Sequence, residues 1–345
     1  MFIEFDSGEA IERVIRASTV EHEDFGSEFE PLVRPADERF GDFQANGVLP
    51  FAKKAQLNPR ELAQKLIDSL PQTDLWETSI AGPGFINFRL SSSYLKLWTE
   101  KFADSEKMRN AAKEANPCKV VVDFSSPNTA KQMHVGHIRS TIIGESLARL
   151  LSFLGHQVIR DNHLGDWGTQ FGILLYAIKR EKVSLDELGP DPIAHLENLY
   201  RQGNSLIKED EDHLREAREE LVKLQNGHPD NLALWQKIKE ISMDSFESIY
   251  DLLDVRFDHS LGESFYKDMV DSVCDELLKH KICDEDKGAL VVFHPGHKRF
   301  SKQPFIIRKS DGASNYATTD LATVEFRKNE WNADKIIYVT DGRQK

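Results

Sequence analysis

His134 and His137 stand three residues apart with Gly136 between them, and Lys131 precedes His134 by three. The segment follows a short apolar run, KVVVDF (119–124), and leads into a helical pattern that begins at about 137. A helix start presents free backbone N–H groups and the positive end of the helix dipole, so it suits an anion such as a phosphate. Two imidazoles in that first turn can donate to phosphate oxygens as negative charge builds in phosphoryl or nucleotidyl transfer. Lys131 adds a cation on a flexible stem. Gly136 lacks a Cβ and lets the backbone lie against a planar ring such as adenine. Four residues of the form H-x-G-H also recur by chance, and the same pattern fits a surface loop whose histidines are solvated or take up adventitious metal.

Such a loop needs rigid elements on either side. Residues 119–124 read as a strand of the buried, parallel-sheet kind. Residues 137–154 read as a helix with Ile138, Ile142, Leu147, Leu150, Leu151 and Leu154 on one side, stopped by Gly155, and 157–160 begin the next strand. This is a βαβ unit whose functional loop lies at the carboxyl end of its first strand.

Ahead of it, 1–112 read as an α+β domain. Asn58 caps a helix with Pro59 at its first position and a stripe of Leu62, Leu66, Ile67 and Leu70. Gly82-Pro83-Gly84 form a turn, and a strand follows with Phe85, Asn87 and Arg89 opposite Ile86, Phe88 and Leu90. A polar helix ending in AAKEANP (111–117) serves as linker. Behind the βαβ unit, long charged helices (205–224 and 232–253) form a helical insertion over about 185–260. Strand signals return at 289–293, 304–312 and 333–341. The last ends four residues before Lys345, leaving no room for a crossover helix, so the chain reads as the front part of a longer protein. The expected fold class is α/β: an N-terminal α+β module, then a Rossmann-type parallel-sheet domain over 113–345, with its helical insertion and a truncated C-terminus.

Of the 345 residues, 44 are Lys or Arg and 57 Asp or Glu, a formal charge of −13. That excludes a globally basic nucleic-acid coat and leaves room for a local basic strip. No run approaches the ~20 apolar residues of a membrane span, and the first residues lack the basic, apolar and small-residue regions of a signal peptide. Cys118, Cys274 and Cys283 form no C-x-x-C pair, which suits a reduced, cytoplasmic enzyme without structural zinc.

The run DFSSPNTAKQMHVGHIRSTIIGESLARLL (123–151) followed by DNHLGDWGTQFG (161–172) resembles the signature of class I aminoacyl-tRNA synthetases and, within them, the arginyl-tRNA synthetases. His134–His137 is similar to the "HIGH" element of that class. GESFY (262–266) and YATTDLA (316–322) are similar to two further arginyl motifs, and GDFQANGVLPFAK (41–53) with GPGFIN (82–87) resembles the N-terminal extension of the family. The resemblance covers essentially the whole chain in the right order.

It implies roles for particular residues. Lys131, His134, Gly136 and His137 would bind ATP, with Lys131, His134 and His137 acting in catalysis. Ser126 and Asn128 would hold the α-amino and carboxylate groups of arginine, while Glu263 and Asp320 would face the guanidinium, a planar cation best read by carboxylates in fork geometry. Tyr316 would pack on the substrate's alkyl stem and Gln344 would make another amino-acid contact. His163 and Trp167 fit either this site or the core, and Gly165, Gly168 and Gly172 fit either turns near a ligand or helix–strand packing. Phe85 and Asn87, on the outward side of their strand, would read an unpaired base of the tRNA elbow; Phe85 fits packing into a small module equally well.

The implied activity is that of an arginine–tRNA ligase. ATP activates L-arginine to arginyl-adenylate, Mg²⁺ assists, and the arginyl group passes to tRNA-Arg; ATP is a substrate and no resident metal is expected. The resemblance further implies a cytoplasmic monomer with no membrane attachment. The second, lysine-rich signature of the class ("KMSKS") and the helical anticodon-binding domain do not occur in these residues; KRFSKQ (298–303) precedes the last strands, and Lys131 stands where family members compensate for a missing signature lysine. The alternative is a catalytically silent module that binds arginine or tRNA. A cysteine-specific synthetase would want a zinc-ligating set, which three scattered cysteines do not supply.

Overall fold

The structure, a computed structural model, describes residues 3–298, 300–301, 304–310 and 316–341, with only the backbone at 316 and 317. It divides into two units, Met1–Lys113 and Glu114–Lys345.

The first unit contains α1 (Ser7–Thr19), β1 (Val33–Pro35), β2 (Phe43–Ala45), α2 (Val48–Ala55), α3 (Pro59–Ser69), β3 (Trp76–Ala81), β4 (Phe85–Leu90), α4 (Ser92–Phe102) and α5 (Ser105–Ala112). Asn58 does cap α3, its side chain accepting the Arg60 N–H at 3.0 Å, and Leu62 and Leu66 of the apolar stripe are buried. The strands form an antiparallel sheet in the order β1-β2-β4-β3 around a core that includes Ile11, Ile15, Phe29, Leu66, Trp76, Ile86 and Phe88. Alternation places Asn87 on the face away from the core, where it lines an open cleft, yet it is only 4% exposed: its Oδ1 accepts the Gln44 Nε2 hydrogen at 2.7 Å from the neighbouring strand. β4 is central, so polar side chains from its neighbours cover the face that alternation assigned to solvent.

The second unit contains β5 (Lys119–Asp123), α6 (Val135–Phe153), β6 (Gln157–Asp161), α7 (Thr169–Glu181), α8 (Pro192–Glu209), α9 (Glu211–Gln225), α10 (Pro229–Leu252), α11 (Glu263–Tyr266), α12 (Val270–Lys279), β7 (Asp284–Asp286), β8 (Ala289–Val292), β9 (Phe305–Arg308), α13 (Tyr316–Asn329) and β10 (Lys335–Tyr338). β10, β5 and β6 form a parallel sheet in that order. β5 is flanked on both sides, which is why Val120, Val121 and Val122 are apolar without alternation. The chain leaves β5 toward β6 on one side while β10 lies on the other. The carboxyl end of β5 is thus a topological switch point, where crevices for ligands form.

Two sequence expectations change within this unit. Residues 205–224 are not one helix: Asp210 ends α8, and its carboxylate accepts the Asp212 N–H at 2.8 Å as the cap of α9. The second change is an addition: the strand signals at 289–293 and 304–312 are β8 and β9, and with β7 they form a separate antiparallel sheet. The helices α8–α10 pack with α7 through Phe171, Leu174, Leu196, Leu199, Leu224 and Ile238.

α6 departs most from expectation. Its buried face is Thr141, Gly144, Glu145 and Ala148, whereas Ile142 and Leu150 are 50% and 53% exposed. The reason is distance. A Cβ on Gly144 would lie 2.2 Å from Cγ of Phe124, so only small side chains permit the helix to lie this close to the end of β5. Gly144→Ala adds about 1 kcal/mol of helix propensity, yet it forces Phe124 from its place at an overpacking cost of about 1–3 kcal/mol. A net loss of stability is expected, read as a lower urea midpoint with an unchanged slope.

Candidate active site

The loop after β5 carries three non-glycine residues in the left-handed region, Ser125 (φ 71°), Ser126 (φ 50°) and Ala130 (φ 59°). That conformation is costly for side chains with a Cβ and persists only where surroundings enforce it. Here the enforcement is visible. Ser125 Oγ lies 2.8 Å from Tyr250 Oη, the Ser126 N–H donates to Asn162 Oδ1 at 3.2 Å, and the Ala130 N–H donates to Ser242 Oγ at 2.9 Å. Ser126 Oγ donates to Asp123 Oδ1 at 3.0 Å. Asn128 bridges to Gly165, and a Cβ on that glycine would lie 2.1 Å from Asn128 Oδ1. Ser126 and Asn128 both remain open to solvent.

His134 caps α6 and its ring stacks on that of His137, centroids 3.9 Å apart. The Gly136 N–H donates to His134 Nδ1 at 3.1 Å, and the His134 N–H donates to His137 Nδ1 at 3.2 Å. Each Nδ1 is therefore an acceptor, which puts the proton of each neutral ring on Nε2 and leaves both rings as donors from that nitrogen. Burial, then the neighbouring His134, holds His137 below the usual histidine range and favours the neutral form. A Cβ on Gly136 would meet His134 Cε1 at 2.8 Å, so the glycine makes room for the capping imidazole itself. The Lys131 ammonium sits over the Tyr200 ring, 5.5 Å from its centroid.

Across the carboxyl end of the sheet lies a set of acids. Asp123 and Asp161, the last residues of β5 and β6, are paired in register, and Tyr338 at the end of β10 is in register with Asp123. The wholly buried Arg327 of α13 bonds to both acids, Nη2 to Asp123 Oδ2 at 2.5 Å and Nε to Asp161 Oδ2 at 2.9 Å, and lies over the Tyr338 ring at 5.3 Å. Burial outweighs this pairing at Asp161, whose carboxyl is raised to about 6. Asp166, also buried, accepts Lys239 Nζ at 2.7 Å together with the N–H and hydroxyl of Ser264 at 2.9 and 2.7 Å. A Cβ on Gly262 would lie 2.1 Å from the Asp166 carboxylate, so that close approach requires glycine.

Glu263 follows Gly262 directly. Burial, then Asp166 and Asp320, raises its carboxyl to about 8. Asp320, whose side chain reaches solvent, is likewise raised, by partial desolvation and by Asp123, against the opposing pull of Arg327. Neither has a cation partner among the described residues, whereas Asp123, Asp161 and Asp166 do.

Tyr316 opens α13, four residues before Asp320; its side chain, Gln344 and part of KRFSKQ lie outside the described residues. Trp167 packs edge-on against Trp235 in the insertion core, and a Cβ on Gly172 would meet Ala217 O at 2.5 Å, so both serve packing. His163 is lowered by burial, and its Nδ1 has no partner among the described residues. Phe85 is half-buried. Sequence reading missed Asp123, Asp161, Asp166 and Arg327; the signal available was the pair of strands VVVD and VIRD, each ending in aspartate.

The profile described as "tRNA synthetases class I (R), catalytic domain" matches residues 100–345, which sets this sheet and its histidine-bearing helix start in that class. "Arginyl tRNA synthetase N terminal domain" matches residues 8–90. The chain is 46% identical over 318 residues to an arginine–tRNA ligase of Cyanothece sp., covering 91% of this chain and 54% of that protein. It is 45% identical to one from Crocosphaera subtropica, covering 93% of this chain and 56% of that protein. The arginyl-tRNA synthetase structure from Plasmodium falciparum matches with a TM-score of 0.79 at 32% identity, covering 98% of this chain and 59% of that one. The chain belongs to the arginyl-tRNA synthetase family. It spans about half the length of the curated relatives it matches.

Because Glu263 binds its proton more tightly folded (about 8) than at its ordinary 4.5, native stability falls as pH rises from 4.5 to about 8 and then levels. Glu263→Gln removes that cost. It is expected to raise the melting temperature of the ligand-free protein more at pH 8.5 than at pH 5, by calorimetric scans at both.

Proposed function

We propose that this chain carries the ATP- and arginine-binding part of an arginine–tRNA ligase. The single observation behind the reading is the acidic pair Glu263 and Asp320, which forms no ion pair among the described residues where the neighbouring acids each form one. Two carboxylates held above their ordinary range by desolvation and by neighbouring acids suit a positive partner, and a guanidinium matches them in charge and fork geometry. Ser126, Asn128 and Tyr316 would hold the rest of the amino acid, and Gln344 would add a contact. The arginine carboxylate then attacks the α-phosphorus of ATP, and pyrophosphate leaves. His134 and His137, donating from Nε2, with Lys131 nearby, stabilise the charge that builds on the phosphates. The terminal ribose of tRNA-Arg next takes the arginyl group, by class habit through its 2′-hydroxyl, and AMP leaves.

No group of three or more ligating side chains suited to a metal occurs among the described residues. Mg²⁺ would thus be held mainly by nucleotide phosphates and water, where it supplies charge neutralisation. The first unit would meet the tRNA. Asn87, little exposed itself, lines an open cleft on that sheet together with Arg39, Phe40 and Arg89, which combine cations with a ring, and Phe85 stands on the same strand. No described helix is long and apolar enough to cross a membrane, and the three free cysteines suit a reducing cytoplasm.

Titration calorimetry tests the arginine site. Arginine should bind more tightly than its neutral near-isostere citrulline by ~1.5–3 kcal/mol, the scale of a charge-assisted hydrogen bond, and Asp320→Asn should lose that preference. Pairing with a guanidinium requires Glu263 to ionise, so binding at pH 7 should release up to about one proton and tighten as pH rises to about 8. Titrations in two buffers of different ionisation enthalpy measure that release. A folded chain that treats both ligands alike rejects the assignment.

A further inference from the structure

We propose that Arg327 is a positioning residue for the reading of the substrate guanidinium. It fixes α13 to the carboxyl edge of the parallel sheet so that Asp320 meets Glu263. The inference rests on the arginine reading of that acidic pair.

Three observations carry it. Arg327 touches the terminal residue of every strand in the parallel sheet: Asp123, Asp161 and Tyr338. It follows Asp320 by seven residues on the same helix, two turns, so the two share a face and a shift of one moves the other. Its partner Asp123 also accepts the Ser126 hydroxyl through its second oxygen, so one carboxylate ties the helix that carries Asp320 to the loop that carries Ser126. The distance between the two ends of an arginine pocket is set by this carboxylate and this guanidinium.

Arg327 also keeps the site's charge unambiguous. Asp123 and Asp161 are a second pair of acids in reach of the same region, and with the internal guanidinium bound they offer no competing seat for the substrate's own. The clamp is not saturated. Arg327 Nη1, Asp161 Oδ1 and Tyr266 Oη are buried without a partner among the described residues. A network serving stability alone would satisfy those atoms, since each costs free energy when left unpaired.

The test compares arginine and citrulline affinities in the full chain and in Arg327→Lys. Lysine keeps the charge but cannot span two carboxylates or stack on Tyr338 as a guanidinium does. Positioning predicts that the arginine-to-citrulline affinity ratio falls at least tenfold, while citrulline affinity changes less than threefold and the circular dichroism spectrum is retained. A merely structural role weakens both ligands together, so an unchanged ratio in folded Arg327→Lys overturns the inference. Should that variant not fold, Asp161→Asn decides, because it keeps an acceptor toward Arg327 Nε: a threefold or greater fall in the ratio supports positioning and an unchanged ratio overturns it. Absence of any preference in the unmodified chain sinks the arginine reading and this inference with it, whereas preference there with an unchanged variant ratio sinks this inference alone.

Discussion

A guanidinium taken wholly out of water must be met by carboxylates at hydrogen-bond distance, and Arg327 is met by one from each of two adjacent strands. Desolvating such charges costs several kcal/mol per ion, recovered only while the geometry holds. The three parallel strands and α13 therefore have little freedom to slide at their carboxyl edge, where the in-register row Tyr338, Asp123 and Asp161 ends. The site inherits its dimensions from that row, through Ser126 on one side and α13 on the other.

Close approach is the second constraint. Gly144 lets α6 lie on Phe124, Gly165 accommodates Asn128, and Gly262 accommodates the Asp166 carboxylate. Each brings a segment of the candidate site, the histidine-bearing helix start, the Ser126–Asn128 loop or the Glu263 turn, nearer to its neighbours than a Cβ would permit. The strained backbone at Ser125, Ser126 and Ala130 belongs to the same pattern, since bonds from Tyr250, Asn162 and Ser242 hold a loop that would otherwise relax.

Electrostatically the site has two ends of opposite appetite. The start of α6 offers N–H groups, two imidazole donors and a nearby ammonium, a place for anions. The Glu263–Asp320 end offers carboxylates with no ion pair among the described residues, raised by desolvation and by neighbouring acids, the place proposed for a cation. That polarity matches the proposed pairing of an anionic nucleotide with a cationic amino acid. Holding Glu263 in place uncompensated lowers the stability of the empty protein, the usual trade between a prepared site and a relaxed one.

The residues alone determined what depends on near neighbours along the chain. The cap at Asn58, the turn at 82–84, the buried strand at 119, the helix start at His134 and the family signatures around them are set by short-range geometry and by motif, and they held. Tertiary structure decided what depends on approach. Alternation put Asn87 on the outer face, and there a central strand with polar neighbours leaves it little exposed. Helical periodicity gave α6 an isoleucine and leucine face, but proximity to Phe124 selected the small-residue face. The acids at the ends of two strands look alike in sequence. Only folding brings Arg327 to Asp123 and Asp161, 204 and 166 residues away, and so separates the carboxylates that are ion-paired from Glu263 and Asp320, which form no ion pair among the described residues. Hydrophobic period and capping are local properties of a chain, whereas charge compensation in a buried site belongs to whichever residues the topology makes neighbours.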